Sequence, residues 1–358
     1  MIISIGGGLL SGEKKKGNNK VIWAVISVLI AGASIWAVTQ QSASFTLDSF
    51  WSYIKSSSPV FMSAAVLCVL SYVLFEGLAV LCIVKDLGYP RRLGQGITYS
   101  AADIYISAIT PSASGGQPAS AYFMMKDGIP AATTTVTLQL NLIMYTLSVI
   151  IIGFFAFVLH PSMFLNFDTL SKVLIIVGGI IQLGLAVLFW LILKKEQILY
   201  KFCMGVINIL SKLKLMRRRE KYEKKLEKII AEYRECAAAV TGKKRAIIGS
   251  FIFNFLQRLS IIAVTMFVYL AAPGGIAEKA ADVWALQSYV VIGSYCMPIP
   301  GAVGVSDYIL LRGFELNGLA SDPVSLELFC RSLSFYCCVL LCGIIVLVQY
   351  FVYKKRKG

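Results

Sequence analysis

Apolar residues along this chain gather into six long runs, at residues 21–39, 60–84, 131–159, 173–193, 246–271 and 325–353, parted by polar stretches. Each is long enough for the ~30 Å hydrocarbon core of a bilayer, which takes about 20 helical residues. Two further segments, 93–128 and 283–318, each hold two short apolar pieces around a break rich in Pro and Gly. The breaks read TPSASGG at 110–116 and PIPGAVG at 298–304. Helix breakers in the middle of apolar sequence predict a helical hairpin that enters the membrane and returns to the same side. The pattern thus predicts an all-α polytopic membrane protein with about six full spans plus two re-entrant helical hairpins.

Composition agrees with the pattern. Hydrophobic residues make up 57% of the chain and charged residues 15%, and the mean hydropathy is +0.74, far from the soluble globular range. A net charge of +15 raises the question of nucleic acid. The basic residues, however, gather in polar stretches between apolar runs, where they orient spans and meet anionic headgroups. Nucleic acid is therefore not an expected partner. Nine cysteines without a CxxC pair and a single histidine give neither a disulfide framework nor a metal site. The start, MIISIGGGLLSGEKKK, has its basic cluster after its short apolar run, so it reads as a cytoplasmic tail and not a cleaved signal.

Basic clusters also set the topology, since Lys and Arg accumulate on the cytoplasmic side. They comprise Lys14 to Lys16 with Lys20; Lys85, Arg91, Arg92 and Lys126; the segment 194–245; and Lys354, Lys355, Arg356 and Lys357. All fall on one side if both hairpins are re-entrant, and the intervening loops 40–59, 160–172 and 272–282 carry few basic residues. The expected organisation is a cytoplasmic tail at 1–20, a first membrane half at 21–193 with its hairpin at 93–128, a basic cytoplasmic segment at 194–245, a second membrane half at 246–353 with its hairpin at 283–318, and a cytoplasmic tail at 354–358. In that arrangement the order run, run, hairpin, run occurs twice in opposite orientations. Inverted repeats with discontinuous helices meeting near the midplane are a recurring transporter plan. Sequence identity between the halves is negligible, so the repeat is an expectation from pattern alone.

The stretches SAITPSASGGQPASAYFMMKDG at 107–128 and PIPGAVGVSD at 298–307 resemble the Pro/Gly hairpin motifs of the lysylphosphatidylglycerol synthase transmembrane region, also called the flippase-like domain family. The similarity covers roughly residues 20–353. The second motif has Ala302 where Gly is usual and Asp307 where Glu is common. The resemblance implies a lipid flippase, of which the best known moves an aminoacylated phospholipid between leaflets. In the larger synthases a separate soluble domain transfers the aminoacyl group from tRNA to phosphatidylglycerol. The chain closes five residues after its last run, so that domain is expected to be absent. The family name itself implies the alternative, a phosphatidylglycerol lysyltransferase.

Ionisable side chains at membrane depth are costly and mark function by default. Here they are Glu76, Asp103, Arg258, Asp307, Glu327 and Arg331. Arg258 and Arg331 are the candidates for a lipid phosphate, because a guanidinium offers a planar fork of donors. Glu76, Asp103 and Asp307 are candidates for a cationic headgroup amine, or for pairing with those arginines. Glu327 and Arg331, spaced i, i+4, also read as one local pair. In the first break, Pro111, Gly115, Gly116 and the amide of Gln117 are candidate lining groups, as are Pro300, Gly301 and Gly304 in the second. Small residues at such points also serve close helix packing without any ligand. Gln139, Asn141, Asn254, Gln257 and Gln287 read as bridges between helices, and Trp23, Trp36, Trp51, Tyr350 and Tyr353 as interface anchors.

The centre of the basic segment, MRRREKYEKKLEKIIAEYRECAAAV at 216–240, is a helix former with mixed charge pairs. It lies on the anionic leaflet or packs beneath the bundle, a coiled-coil contact with a second copy of the chain being the alternative. No Walker loop, Ser/His/Asp set or metal cluster is present, so no cofactor or metal is expected. Three classes remain: a translocator of an anionic, aminoacylated or polyprenyl-linked lipid, with membrane phospholipid as its partner; the lysyltransferase; and a membrane scaffold for lipid-synthesis enzymes.

Overall fold

The computed structural model describes residues 51–355 apart from 53, 111–114, 295–298 and most of 196–218. The expected first span at 21–39, the tails at 1–20 and 356–358, and Pro111 lie outside the described residues. Among the described residues every regular element is helical. In chain order they are α1 (Pro59–Asp86), α2 (Leu93–Ile109), α3 (Gly116–Lys126), α4 (Ala131–Leu159), α5 (Pro161–Asn166), α6 (Thr169–Lys194), α7 (Arg219–Thr241), α8 (Lys244–Ala271), α9 (Ala280–Ser294), α10 (Val305–Leu316), α11 (Pro323–Arg331) and α12 (Cys338–Lys355). A π-helical turn, Ser332–Cys337, joins the last two. Among the described residues, five helices are long and apolar enough to cross a membrane: α1, α4, α6, α8 and the run Pro323–Tyr353.

Lipid tails are as apolar as Leu, so helices in a membrane associate through close packing and polar contacts. The antiparallel pair α1 and α8 is pinned at both ends. Ser58 N–H donates to the Ala271 carbonyl at 2.8 Å, and Lys243 Nζ donates to the Asp86 carbonyl. Between them the rings of Phe75 and Phe253 stack at 6.4 Å. A Cβ on Gly77 would stand 2.8 Å from the backbone of Gly96, which shows how closely α1 and α2 approach. Outward surfaces carry Phe154, Leu159, Ile180 and Leu340, 63% to 67% exposed. Lipid tails cover such positions at no cost in free energy.

Both broken segments return to where they begin. Arg91 Nη2, just before α2, donates to the carbonyl of Asp127, just after α3, at 2.8 Å. The Asp127 carboxylate also accepts from Tyr99 and Tyr353, each at 2.5 Å. Lys279 Nζ, before α9, donates to the carbonyl of Gly318, after α10, at 2.9 Å. The two hairpins start from opposite ends of the bundle. The first shares its end with Asp86 and Lys243. The second shares its end with Ser58 and Ala271, together with α5 and its neighbours, where His160 Nδ1 lies 2.9 Å from Asp282 Oδ1 and Tyr308 donates to Asp168 at 2.8 Å.

The second break turns through left-handed backbone, with φ of +61° at Gly301, +51° at Ala302 and +85° at Gly304. Glycine adopts this region freely, whereas a Cβ costs roughly 1–2 kcal/mol there. Ala302→Gly is therefore expected to leave thermal stability in detergent unchanged or to raise it by up to about 1 kcal/mol, after the entropy that glycine adds to the unfolded chain. A lowered midpoint would contradict this turn geometry.

The basic segment supplies α7, which packs against α4. Tyr233, 1% exposed, donates to Gln139 Oε1 at 2.6 Å, and Gln139 Nε2 in turn donates to the Phe189 carbonyl at 2.8 Å. One buried tyrosine thus ties α7 to both α4 and α6. Asn254 and Asn141 bridge α8 and α4 at 2.9 Å.

Candidate functional site

A cavity of about 630 Å³ opens between the two hairpins. Tyr72, Tyr145, Ile181 and Arg258 line it, and each lies at or beside the midpoint of its helix. A helix of 28 residues, like α1 or α8, is about 42 Å long at 1.5 Å per residue, so the cavity sits near mid-depth. Its walls are of two kinds. The polar side is built by α1, α2, α3, α8 and the turn before α12; the apolar side includes Leu142 of α4 and Ile181, Leu185 and Phe189 of α6. α6 buries little of its surface and is held against α9 where Gly178 meets the Ile292 carbonyl.

Two buried carboxyls form the floor of the polar side. Glu76 of α1 and Asp103 of α2 stand within hydrogen-bonding reach of each other. Asp103 accepts from Gln117 Nε2 at 3.0 Å and from Ser107 Oγ at 3.2 Å. Glu76 accepts from Gln257 Nε2 at 3.1 Å, and Gln257 Oε1 accepts from Arg258 Nε at 2.8 Å. Arg258 also donates from Nη2 to the Tyr72 hydroxyl at 3.3 Å. Its guanidinium lies 4.2 Å from the ring centre of Tyr145 and 5.2 Å from that of Tyr72. Aromatic faces attract a desolvated cation by about 2 kcal/mol, which offsets part of the cost of placing arginine at this depth. Gly116 makes this cluster compact, since a Cβ there would overlap the Asp103 carboxylate and the Ser107 hydroxyl.

The second hairpin meets a different arginine, Arg331 at the end of α11. Asp307, third residue of α10, accepts from the Gly304 N–H at 2.8 Å, which caps the helix, and from Ser306 Oγ at 3.3 Å. Its Oδ1 lies 2.6 Å from Arg331 Nε. Arg331 leans on the ring of Phe335 at 4.6 Å and faces the cavity. Its Nη2 is buried without a hydrogen-bond partner among the described residues. Gln287 of α9 faces the same cavity, and its Oε1 is likewise unpartnered. Unused donors and acceptors around a cavity are what a polar ligand would satisfy.

Six of the candidate site residues line the cavity together, Glu76, Asp103, Gln117, Arg258, Gly301 and Arg331, as do Asn141, Gln257 and Gln287, expected to bridge helices. Gly115 and Gly116 form the turn behind the first cluster, Gly115 N–H donating to Thr110 Oγ1 at 3.0 Å. Asp307 and Gly304 stand behind the second, and Pro300 opens its 3-10 turn. Arg331, on α11, contacts Asp307 of the second hairpin, and among the described residues no ion pair joins it to its helical neighbour Glu327. Sequence reasoning misses Tyr72, Tyr145, Ser107 and Phe335. The signal for the tyrosines is a phenol in the middle of an apolar run, where its hydroxyl needs a partner. Phe335 carries no such signal.

The family profile described as lysylphosphatidylglycerol synthase TM region matches residues 24–342 of this chain. A UPF0104 membrane protein of Pyrococcus horikoshii is 23% identical over 265 residues, covering 71% of this chain and 75% of that protein. No solved structure matches the chain.

Proposed function

The chain belongs to the lysylphosphatidylglycerol synthase transmembrane-region family, and from that premise we propose that it moves an anionic phospholipid between the two leaflets of its membrane. The observation that carries this reading is Arg331, which lines the cavity and has a buried Nη2 without a hydrogen-bond partner among the described residues. A lipid phosphate would accept from Arg331 on one side of the cavity and meet the charge of Arg258 on the other. Gln117 and Gln287 offer amides to glycerol or headgroup oxygens. Acyl chains would leave across the apolar wall of Ile181, Leu185 and Phe189, so that the headgroup alone is withdrawn from water and lipid. Two hairpins that start from opposite ends give the cavity a moving part toward each leaflet.

In this reading the end bearing Lys85, Arg91, Arg92, Lys126 and Lys243 faces the cytoplasm, as the bias of basic residues requires. The first hairpin then enters from the cytoplasm and the second from outside. The basic segment containing α7 attracts anionic headgroups at the inner leaflet.

The test is translocation of head-labelled phosphatidylglycerol in proteoliposomes made with the full chain, read by loss of label to a membrane-impermeant quencher. Arg331→Ala removes a charge-assisted hydrogen bond of about 1.5–3 kcal/mol, so movement by the folded protein is expected to slow about 10- to 150-fold, and the buried Asp307 left without its partner lowers stability by about 3–5 kcal/mol. Unchanged movement in a folded Arg331→Ala protein would refute the role given to this residue.

A further inference from the structure

Two carboxylates cannot both be ionised when they touch, because each then offers only acceptors and their charges repel across a few ångströms. Glu76 and Asp103 touch in this way while their other contacts are donors supplied by Gln257, Gln117 and Ser107. The titratable groups around the pair are Tyr72 on α1, Tyr145 on α4, Arg258 on α8, and Cys338 and Cys342 on α12. Only Arg258 among them is a cation. It makes no ion pair with a carboxylate among the described residues and reaches Glu76 only through Gln257. Two carboxyls, one shared proton and one arginine make an electrically neutral group.

Where the second hairpin meets α11, the same ingredients recur with a different wiring. Asp307 meets Glu327, which is 3% exposed and has an unpartnered Oε1. There the arginine lies directly on Asp307 at 2.6 Å, so its charge is compensated in place. The charge of Arg258 is held at one remove and faces the cavity, where an anion can take it over.

We propose that the Glu76–Asp103 pair is a proton-binding site that couples translocation to a pH gradient, one proton crossing with each anionic lipid. This rests on the translocator reading above. A lipid phosphate bound at Arg258 takes the counter-charge of the carboxyl pair, and the pair restores neutrality by binding a second proton. Lipid and proton therefore bind together and leave together, which makes the process cotransport toward the alkaline side. One phosphodiester charge and one proton cancel, so the movement is indifferent to membrane potential.

The experiment uses full-chain proteoliposomes with head-labelled phosphatidylglycerol, a pH step of one unit, and potential clamped by a potassium ionophore. Labelled lipid is expected to accumulate about tenfold in the leaflet facing the alkaline compartment, the ratio that one pH unit sustains for one proton per lipid. Glu76→Gln and Asp103→Asn are expected to lose this bias. Label that crosses without bias in the native protein, or a bias retained in both variants, overturns the coupling and leaves the translocator reading standing. Label that never crosses sinks both. Should the variants fail to fold, infrared spectroscopy of the native protein decides: a protonated carboxyl at neutral pH that titrates away at high pH is expected, and its absence refutes the shared proton.

Discussion

Arg258→Ala is expected to reduce lipid movement at least about 100-fold and to cost about 3–5 kcal/mol of stability, the loss that follows when one partner leaves a buried charge network. The substitution takes the guanidinium from between the rings of Tyr72 and Tyr145. It leaves Gln257 Oε1 without its donor and the carboxyls of Glu76 and Asp103 without a nearby cation. Arg258→Lys keeps the charge but loses the fork and the stacking, so an intermediate rate is expected. Initial rates in proteoliposomes, with size-exclusion behaviour as the check on folding, measure both. A folded Arg258→Ala protein that moves lipid at the native rate would remove this residue from the site.

Gly116→Ala is the second large effect. The added methyl would overlap the Asp103 carboxylate, the Ser107 hydroxyl and the Asp103 carbonyl. The last is backbone and cannot rotate away, so α3 must shift from α2. Overpacking of this kind costs about 1–3 kcal/mol, and the Gln117 bond to Asp103 is lost with it. A lowered thermal midpoint and loss of lipid movement are expected together. Gly94→Ala, in the facing helix α2 with open space around its Cβ position, is the control and is expected to be neutral or slightly stabilising. Equal behaviour of the two variants would contradict the close approach at Gly116.

Much of the fold is legible in the sequence because a bilayer imposes a simple demand, long uninterrupted apolar helix. The run at 131–159 coincides with α4, and the run at 60–84 is extended by one residue before and two after in α1. α6 begins at Thr169, four residues before its apolar run. Its first turn is polar because Asp168 caps it, accepting from the Leu170 and Ser171 amides. The π turn at Ser332–Cys337 is hidden, since SLSFYC has no Pro or Gly to mark it. Yet this turn carries Ser334 and Phe335 to the cavity. π turns often occur at functional sites.

The candidate site divides in the same way. Its charged members stand out because charge is rare in apolar runs. Their wiring is not legible, because it depends on elements far apart in sequence folding against one another. Spacing suggests Arg331 with Glu327, but the return of the second hairpin brings Asp307 to it instead. The relay from Arg258 through Gln257 to Glu76 likewise requires α8 to lie antiparallel on α1. Tyr72 and Tyr145 pass as ordinary aromatic residues of apolar helices until Arg258 is found between them.

In the proposed function this chain alone carries an anionic phospholipid through the cavity shared by Arg258 and Arg331. The most direct measurement is the initial rate at which head-labelled phosphatidylglycerol crosses in vesicles holding the native full-length chain, beside protein-free vesicles of the same lipid. Movement well above the protein-free rate is expected, and Arg258→Ala is expected to abolish it. A folded native protein that moves no more lipid than empty vesicles would contradict the proposed function.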